Sequence, residues 1–171
     1  MILTGLVSVT FRRLSPAELV KLVKKAGLDG IEWGGDIHVP HGDMKRAAEV
    51  FRMTEAEGLR VAAYGSYYKA GCNTDKEPFE AILDTAVALH APTIRVWAGD
   101  KGSEEADEEY RNGVVSDTGR IAELAAEAGI TVSFEYHERT LTDTPESAQR
   151  LMKEINHPNA RSYWQANLEE D

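Results

Sequence analysis

The sequence predicts an α/β fold in which strand–helix units repeat along a parallel sheet. A helix-like run ends in Gly three times, at Gly27, Gly58 and Gly129, and one apolar residue and a short strand follow each time. Pro92 takes the place of Gly in a fourth copy. Gly ends helices at this position because it readily adopts the left-handed conformation. A strand directly after a helix is typical of a βα unit, and its repetition indicates a parallel sheet.

The first half of the chain contains three predicted strands, and each is bounded by turn residues or a helix start. They cover residues 5–11, 30–33 and 60–64. Ser15, followed by Pro16 and by Glu18 three residues later, forms a capping box that begins the first helix. That helix ends at Ala26, and a second helix is predicted at 43–57.

The second half continues the alternation. Its predicted strands cover residues 93–97, 131–137 and 161–165. Helices are predicted at 78–89, from the acidic stretch 100–109 to residue 128, and from Thr144 to His157. The acidic stretch itself is interpreted as a solvated face. The result is about five βα units and a sixth strand, which we expect to form one domain over residues 1–171.

Composition excludes several classes of protein. The 171 residues have a formal net charge of −10, which argues against binding nucleic acid or an anionic membrane, because both depend on basic surfaces. Cys72 is the one cysteine, so an internal disulfide is excluded and a cytoplasmic location is favoured. No apolar run is long enough to span a membrane, and no signal peptide is predicted at the N-terminus.

The strands carry polar residues on one face, which favours a barrel over a doubly wound sheet. In the fifth strand, Ser133, Glu135 and His137 alternate with apolar residues, and Arg95 and Trp97 do so in the fourth. A doubly wound sheet would be apolar on both faces. The shared lumen is predicted to hold Glu32, Tyr64, Arg95, Trp97, Glu135 and His137. Such a cluster of carboxylates, Arg and His is suited to acid–base or metal chemistry.

Each of these residues also has a structural interpretation. Glu32 and Arg95 could form an ion pair that only supports the lumen, and His137 could be hydrogen-bonded without touching a ligand. Tyr64 and Trp97 could be wall residues. His38 and His41, on the loop after the second strand, are interpreted as two surface histidines, because a metal site needs further ligands. Tyr67 and Tyr68 could either form a lid over the site or pack within their loop.

Four segments resemble the xylose-isomerase-like sugar phosphate isomerases and epimerases. They begin at Gly30-Ile31-Glu32-Trp33, Val39-Pro40-His41-Gly42, Ile94-Arg95-Val96-Trp97 and Ser133-Phe134-Glu135-Tyr136-His137, and their order and spacing carry the resemblance. It implies a TIM-barrel fold, (β/α)8, of which this chain would lack the last strands. It also implies proton transfer next to a carbonyl in a sugar or sugar phosphate. Relatives in the same family cleave DNA at abasic sites.

The resemblance further implies a divalent metal, Mn, Mg or Zn, at the barrel mouth. Glu135 matches the family's first metal ligand, at the end of the fifth strand. Ser162 and Gln165 stand where the second ligand and a substrate-binding His are usual, and the last two ligands come from later strands. One of four ligands is therefore expected here, which predicts weak metal binding by this chain alone.

The predicted roles follow from this chemistry. Glu135 is expected to be the catalytic base or the metal ligand, with Arg95 or a metal opposing the negative charge of the oxyanion. Substrate is expected to contact Glu32, Trp33, Tyr64, Arg95, Trp97, His137 and Gln165. The main alternative is a truncated barrel that binds a small ligand or partner without catalysis. An abasic-site endonuclease is a further alternative, which the acidic composition and the incomplete set of metal ligands disfavour. Two open sheet edges predict either a homo-oligomer or further βα units after residue 171.

Overall fold

The computed structural model describes residues 2–72 and 78–165, and their strands form a single six-stranded parallel sheet in the order β1-β2-β3-β4-β5-β6. The strands are β1 (Gly5–Val7), β2 (Gly30–Gly34), β3 (Arg60–Lys69), β4 (Thr93–Trp97), β5 (Thr131–Phe134) and β6 (Ala160–Ser162). The α-helices are α1 (Pro16–Ala26), α2 (Met44–Ala56), α3 (Phe79–Ala88), α4 (Glu108–Glu127) and α5 (Pro145–Ile155). Sequential order of parallel strands is the predicted arrangement of a TIM-barrel-type sheet, and that prediction is confirmed.

The helix ends follow the predicted signals. Ser15 accepts a hydrogen bond from the Glu18 backbone, and the Glu18 carboxylate accepts one from the Ser15 backbone, so the capping box is formed. Gly27 ends α1 with φ of 72°. Asp43 caps α2, and Asp107 caps α4 at the end of the acidic stretch. These caps satisfy amide groups that the helices leave unpaired.

The hydrophobic core lies between the sheet and the helices. Apolar strand residues such as Ile31, Ile94 and Phe134 meet helix residues such as Leu19 and Ile121 there, and all five are fully buried. The opposite face of the sheet, which carries Glu32, Arg95 and Glu135, is called the inner face below. Among the described residues, no helix is long and apolar enough to cross a membrane.

Three strands are shorter than predicted. β1 ends at Val7, and residues Ser8–Phe11 form a 3-10 helix, because the buried Ser8 hydroxyl accepts a hydrogen bond from the Gly34 amide (2.9 Å). β5 ends at Phe134, although the Glu135 amide still donates to the Val96 carbonyl (3.0 Å). β6 covers residues 160–162 rather than 161–165.

β3 is longer than predicted, and its register shifts twice. It runs to Lys69 rather than to Tyr64. The first shift lies between the pairs Ile31–Val61 and Glu32–Ala63, and the second between Gly65 and Tyr68. A bulge inserts residues into one strand of a pair and thereby changes which side chains face inward. These two bulges determine which aromatic residues of β3 reach the inner face.

Candidate active site

Two carboxylates and one guanidinium group form the centre of the inner face. Arg95, on β4, donates from Nε to Glu32 Oε1 at 2.6 Å, and its Nη1 is ion-paired with Glu135 Oε2. Glu32 lies on β2 and Glu135 directly follows β5, so three strands converge at their carboxyl ends. The predicted convergence of Glu32, Arg95 and Glu135 is therefore observed.

The guanidinium group of Arg95 is buried, and its charge is kept by its partners. Burial alone would lower the pKa of Arg95, but the negative charges of Glu32 and Glu135 outweigh burial and raise it above its usual value. A buried charge without such partners would be costly. The site thus holds a permanent positive charge next to Glu135.

Glu135 is held through only one of its oxygens. Oε2 accepts both from Arg95 and from the Trp97 indole Nε1–H, the latter at 2.6 Å. Within the described part of the chain, no hydrogen bond to Oε1 is recorded. The carboxylate is therefore fixed in orientation, with one oxygen available to a substrate proton or a cation.

His137 stands beside Trp97, as the alternation of β5 predicted. The two ring centroids are 4.6 Å apart. Its Nδ1 lies 2.7 Å from the Glu138 carbonyl, and because a carbonyl can only accept, Nδ1 carries the hydrogen. In the neutral ring Nε2 is then an acceptor. Both residues line a cleft of about 280 Å³ together with Lys69, Asp100, Glu138, Arg139 and Thr140.

The predicted positions of Tyr64 and Trp33 at the substrate site are wrong. Both side chains are fully buried in the core between sheet and helices. The bulge at Ala62 and Ala63 is the reason for Tyr64: simple alternation places it with Ala62, but the register pairs it with Trp33 and Ile94 on the core side. Its hydroxyl donates to the Val39 carbonyl at 2.8 Å.

Tyr67 takes the place in the site that the sequence assigned to Tyr64. The Arg95 Cζ atom lies 4.9 Å from the centroid of its ring, and the ring meets Trp97 edge-on with centroids 5.7 Å apart. Tyr68 instead packs in the core against Phe79. Each of the two alternatives that the sequence left open therefore applies to one tyrosine: Tyr67 lies at the site, and Tyr68 packs in the core. The sequence places both tyrosines after the predicted end of the strand at Tyr64, and residue types do not reveal the bulge between Gly65 and Tyr68.

The interpretation of His38 and His41 as surface residues is wrong. His38 is 2% exposed, and its Nδ1 and Nε2 lie 2.9 Å from the Ser8 hydroxyl and 3.2 Å from the Leu14 carbonyl. Burial lowers the pKa of His38, so a neutral ring suits this environment. His41 is partly buried and contacts the Tyr64 hydroxyl (2.7 Å) and the Ser66 carbonyl (3.0 Å). Both histidines connect the loop after β2 to its neighbours.

Tyr163, directly after β6, adds a further contact to the inner face. The Tyr163 hydroxyl reaches Glu32 Oε2 at 3.4 Å, a contact that the sequence did not predict. Burial, with the nearby charge of Glu32, raises the pKa of Tyr163. Gln165 and Ser162 are exposed, and no contact joins either of them to the Glu32–Arg95–Glu135 group. The substrate role of Gln165 stays a prediction.

The described residues do not by themselves form a metal site. In residues 2–72 and 78–165, no three His, Cys, Asp or Glu side chains group as possible ligands of one ion. Glu135 Oε1 is a suitable oxygen donor, but the neighbouring cation of Arg95 opposes a second cation on the same carboxylate.

Comparison with known proteins decides the family. The family model described as xylose isomerase-like TIM barrel matches residues 20–166. The chain belongs to this family. The resemblance seen in the sequence is thereby confirmed, as is the barrel-type fold.

A sequence and a crystal structure from Bacillus anthracis are similar to this chain. A 3-dehydroshikimate dehydratase is 29% identical over 92% of this chain and 59% of its own length. The crystal structure of "the probable 3-DHS dehydratase AsbF involved in the petrobactin synthesis" has a TM-score of 0.81 at 26% identity, and the match covers 94% of this chain and 62% of that one. This chain thus spans about three fifths of the length of these relatives.

Other solved structures share the fold at lower identity. The 3-keto-D-glucoside 4-epimerase YcjR of E. coli has a TM-score of 0.74 at 19% identity, covering 100% of this chain and 72% of that one. A xylose isomerase-like protein of Mycobacterium smegmatis, in complex with magnesium, has a TM-score of 0.68 at 18% identity, covering 94% and 63%. Proteins of this fold thus include epimerases and dehydratases, and at least one binds a divalent metal.

Proposed function

We propose that this site removes a proton from a carbon next to a carbonyl group in a small polyhydroxylated substrate. The substrate class is a sugar, a sugar phosphate or a cyclic hydroxyketone such as 3-dehydroshikimate. The observation that carries the proposal is the geometry of Glu135, whose Oε2 is held by Arg95 and Trp97 while Oε1 keeps no protein donor among the described residues. Isomerisation, epimerisation and dehydration of hydroxyketones all begin with this step.

The proton transfer needs only Glu135, Arg95 and the substrate. Glu135 Oε1 takes the proton, the electron pair of the broken C–H bond forms a carbon–carbon double bond, and the carbonyl oxygen becomes an enediolate oxygen. The positive charge of Arg95 opposes the charge that develops on that oxygen. The proton can then return to the neighbouring carbon, to the opposite face, or to a departing β-hydroxyl, which leaves as water. His137 Nε2 is placed to accept a hydrogen bond from a substrate hydroxyl.

The aromatic side chains beside Glu135 and Arg95 suit such a substrate. Trp97 and Tyr67 stand at the inner face, and the ring of Trp97 forms one wall of the cleft. The described residues do not complete a site for the divalent metal that the family implies, so the proposed step depends on Glu135 and Arg95.

Proton exchange tests the proposal directly. 3-Dehydroshikimate and D-allulose are incubated with the protein in D2O, and loss of the hydrogen next to the carbonyl is followed by NMR. We expect exchange with at least one compound, and at least a hundredfold slower exchange in Glu135→Gln. Glu123→Gln, an exposed carboxylate on α4, is the matched control and should leave exchange unchanged.

Two outcomes would count against the proposal. Exchange that survives in Glu135→Gln would show that another group is the base. Binding of either compound without exchange would support the alternative of a barrel that holds a ligand without turnover.

A further inference from the structure

Tyr67 has a backbone conformation that is rare for a bulky side chain. Its φ is 58°, in the left-handed region, which is unfavourable for aromatic residues. It lies in the second bulge of β3, where Gly65 pairs with Arg95 and Tyr68 pairs with Val96, so that Ser66 and Tyr67 have no partner in β4. Bulges of this kind often re-aim a side chain next to a site, and strained backbone tends to occur there.

Three hydrogen bonds hold this strained segment in place. The Ser66 hydroxyl donates to the Arg95 carbonyl at 2.7 Å and accepts from the Tyr68 amide at 3.2 Å. The Ser66 carbonyl lies 3.0 Å from His41 Nε2. All three contacts involve the residues that flank Tyr67, so they fix its backbone without engaging its side chain.

The side chain of Tyr67 lies against the guanidinium group of Arg95. The Arg95 Cζ atom is 4.9 Å from the centroid of the Tyr67 ring, and the ring meets Trp97 edge-on with centroids 5.7 Å apart. A guanidinium group has donors and no acceptor, so Arg95 cannot accept the hydroxyl hydrogen of Tyr67. In residues 2–72 and 78–165 no other group accepts that hydrogen, so it stays available to a substrate oxygen.

We propose that Tyr67 is a catalytic residue that donates its hydroxyl hydrogen to the carbonyl oxygen of the substrate. The inference rests on the proposed function and deepens it. While Glu135 removes the proton from carbon, charge develops on the carbonyl oxygen, and the Tyr67 hydrogen bond strengthens with that charge. If the proton transfers fully, it returns to Tyr67 when the carbonyl re-forms.

Tyr67→Phe is the direct test, because it removes the hydroxyl and keeps the ring over Arg95. We expect kcat for proton exchange to fall about a hundredfold and KM to stay within about threefold. Tyr68→Phe is the matched control: its hydroxyl bonds Asp117 and Arg120 on the core side, and kcat should be unchanged. A Tyr67→Phe variant with normal kcat, or one that changes only KM, would overturn the proposal. Tyr67 would then only line the binding site.

A binding measurement separates this proposal from the proposed function. Glycolohydroxamate, a planar anion that resembles an enediolate, and neutral glycolamide are titrated by calorimetry. We expect Tyr67→Phe to weaken hydroxamate binding at least tenfold and to leave glycolamide binding unchanged. If Tyr67→Phe weakens hydroxamate binding in this way but the wild-type protein shows no proton exchange, the proposed substrates are wrong and the role of Tyr67 still stands. Equal hydroxamate binding by wild type and variant, or none by either, would overturn the role of Tyr67.

Discussion

The ion pair between Glu32 and Arg95 passes directly over Gly65. The two residues lie on β2 and β4, and β3 runs between them. A Cβ atom at position 65 would lie 2.7 Å from Arg95 Nη2 and 2.9 Å from Glu32 Oε1. Only a residue without a side chain allows the guanidinium group to reach across the intervening strand.

Gly65→Ala should therefore destabilise the protein although it adds a single methyl group. Overpacking of a dense site costs about 1–3 kcal/mol, and here the displaced groups are charged, so the upper end of that range is expected from urea unfolding. Gly119→Ala is the control, because nothing lies within 4 Å of a Cβ at that position of α4. It should be neutral or stabilise by up to about 1 kcal/mol. Equal effects of the two substitutions would contradict the described geometry.

Glu32→Gln should be costly for a different reason. It leaves the buried Arg95 with a single carboxylate partner, and removing one member of a buried pair costs about 3–5 kcal/mol. The expected loss lies at the lower end of this range, since Glu135 remains. Glu108→Gln breaks an exposed pair with Arg150 and should change the free energy of unfolding by less than about 1 kcal/mol. A loss of unfolding free energy as small as that of Glu108→Gln would contradict this prediction, because it would show that water compensates Arg95 for the lost carboxylate.

Stability should decrease in mildly acidic solution because of His38. Its folded-state pKa is lowered by burial, whereas the unfolded value is about 6.5. The unfolded state then binds the proton more readily, so stability is complete above pH 6.5 and falls as the pH drops through that value. His38→Gln should lose stability at pH 8 and show a flatter pH dependence between pH 7 and 5. Thermal unfolding of both proteins over this range measures the difference.

Trp97→Phe should lower turnover more than it lowers binding. The substitution removes the indole N–H that holds Glu135 Oε2, while an aromatic ring still faces His137 and Tyr67. Loss of such an orienting hydrogen bond typically costs about 10–100-fold in activity, and we expect about tenfold in kcat for proton exchange. A rise in KM with normal kcat would instead assign Trp97 to the wall alone.

This chain should bind Mn2+ or Mg2+ weakly, with a dissociation constant on the order of millimolar or above. Glu135 offers one oxygen, and the described residues bring no second or third ligand near it. Isothermal titration calorimetry of the 171-residue chain gives the constant, and Glu135→Gln is the companion variant. Stoichiometric micromolar binding would show that ligands have been missed.

The sequence predicted the parts of this molecule that depend on periodicity. Gly-ended helices and strands with one polar face indicated the strand order. Alternation within the predicted strands 93–97 and 131–137 placed Arg95, Trp97, Glu135 and His137 together. What it could not predict depends on bulges. Nothing in the residue types of Val61, Ala62 and Ala63 reveals that one of them is inserted, and that insertion moves Tyr64 from the inner face to the core.

The histidines show a second limit. His38 and His41 lie in a polar loop, and composition alone favours exposure. Their burial results from tertiary contacts with Ser8, Leu14 and Ser66, which belong to other strands and turns. The local sequence pattern contains no information about such partners, so the burial of these histidines cannot be predicted from it.

The contact between Tyr163 and Glu32 has a consequence for how the chain assembles. Each strand pairs with the next one along the sequence, so most of the sheet can form step by step, as synthesis on the ribosome delivers each unit. Tyr163 and Glu32 are 131 residues apart, so their contact must wait until β6 has joined the sheet. Because contacts distant in sequence close late, this side of the inner face stays accessible to water and to chaperones until then. The charged centre around Arg95 is therefore shielded later than the strand pairs that surround it.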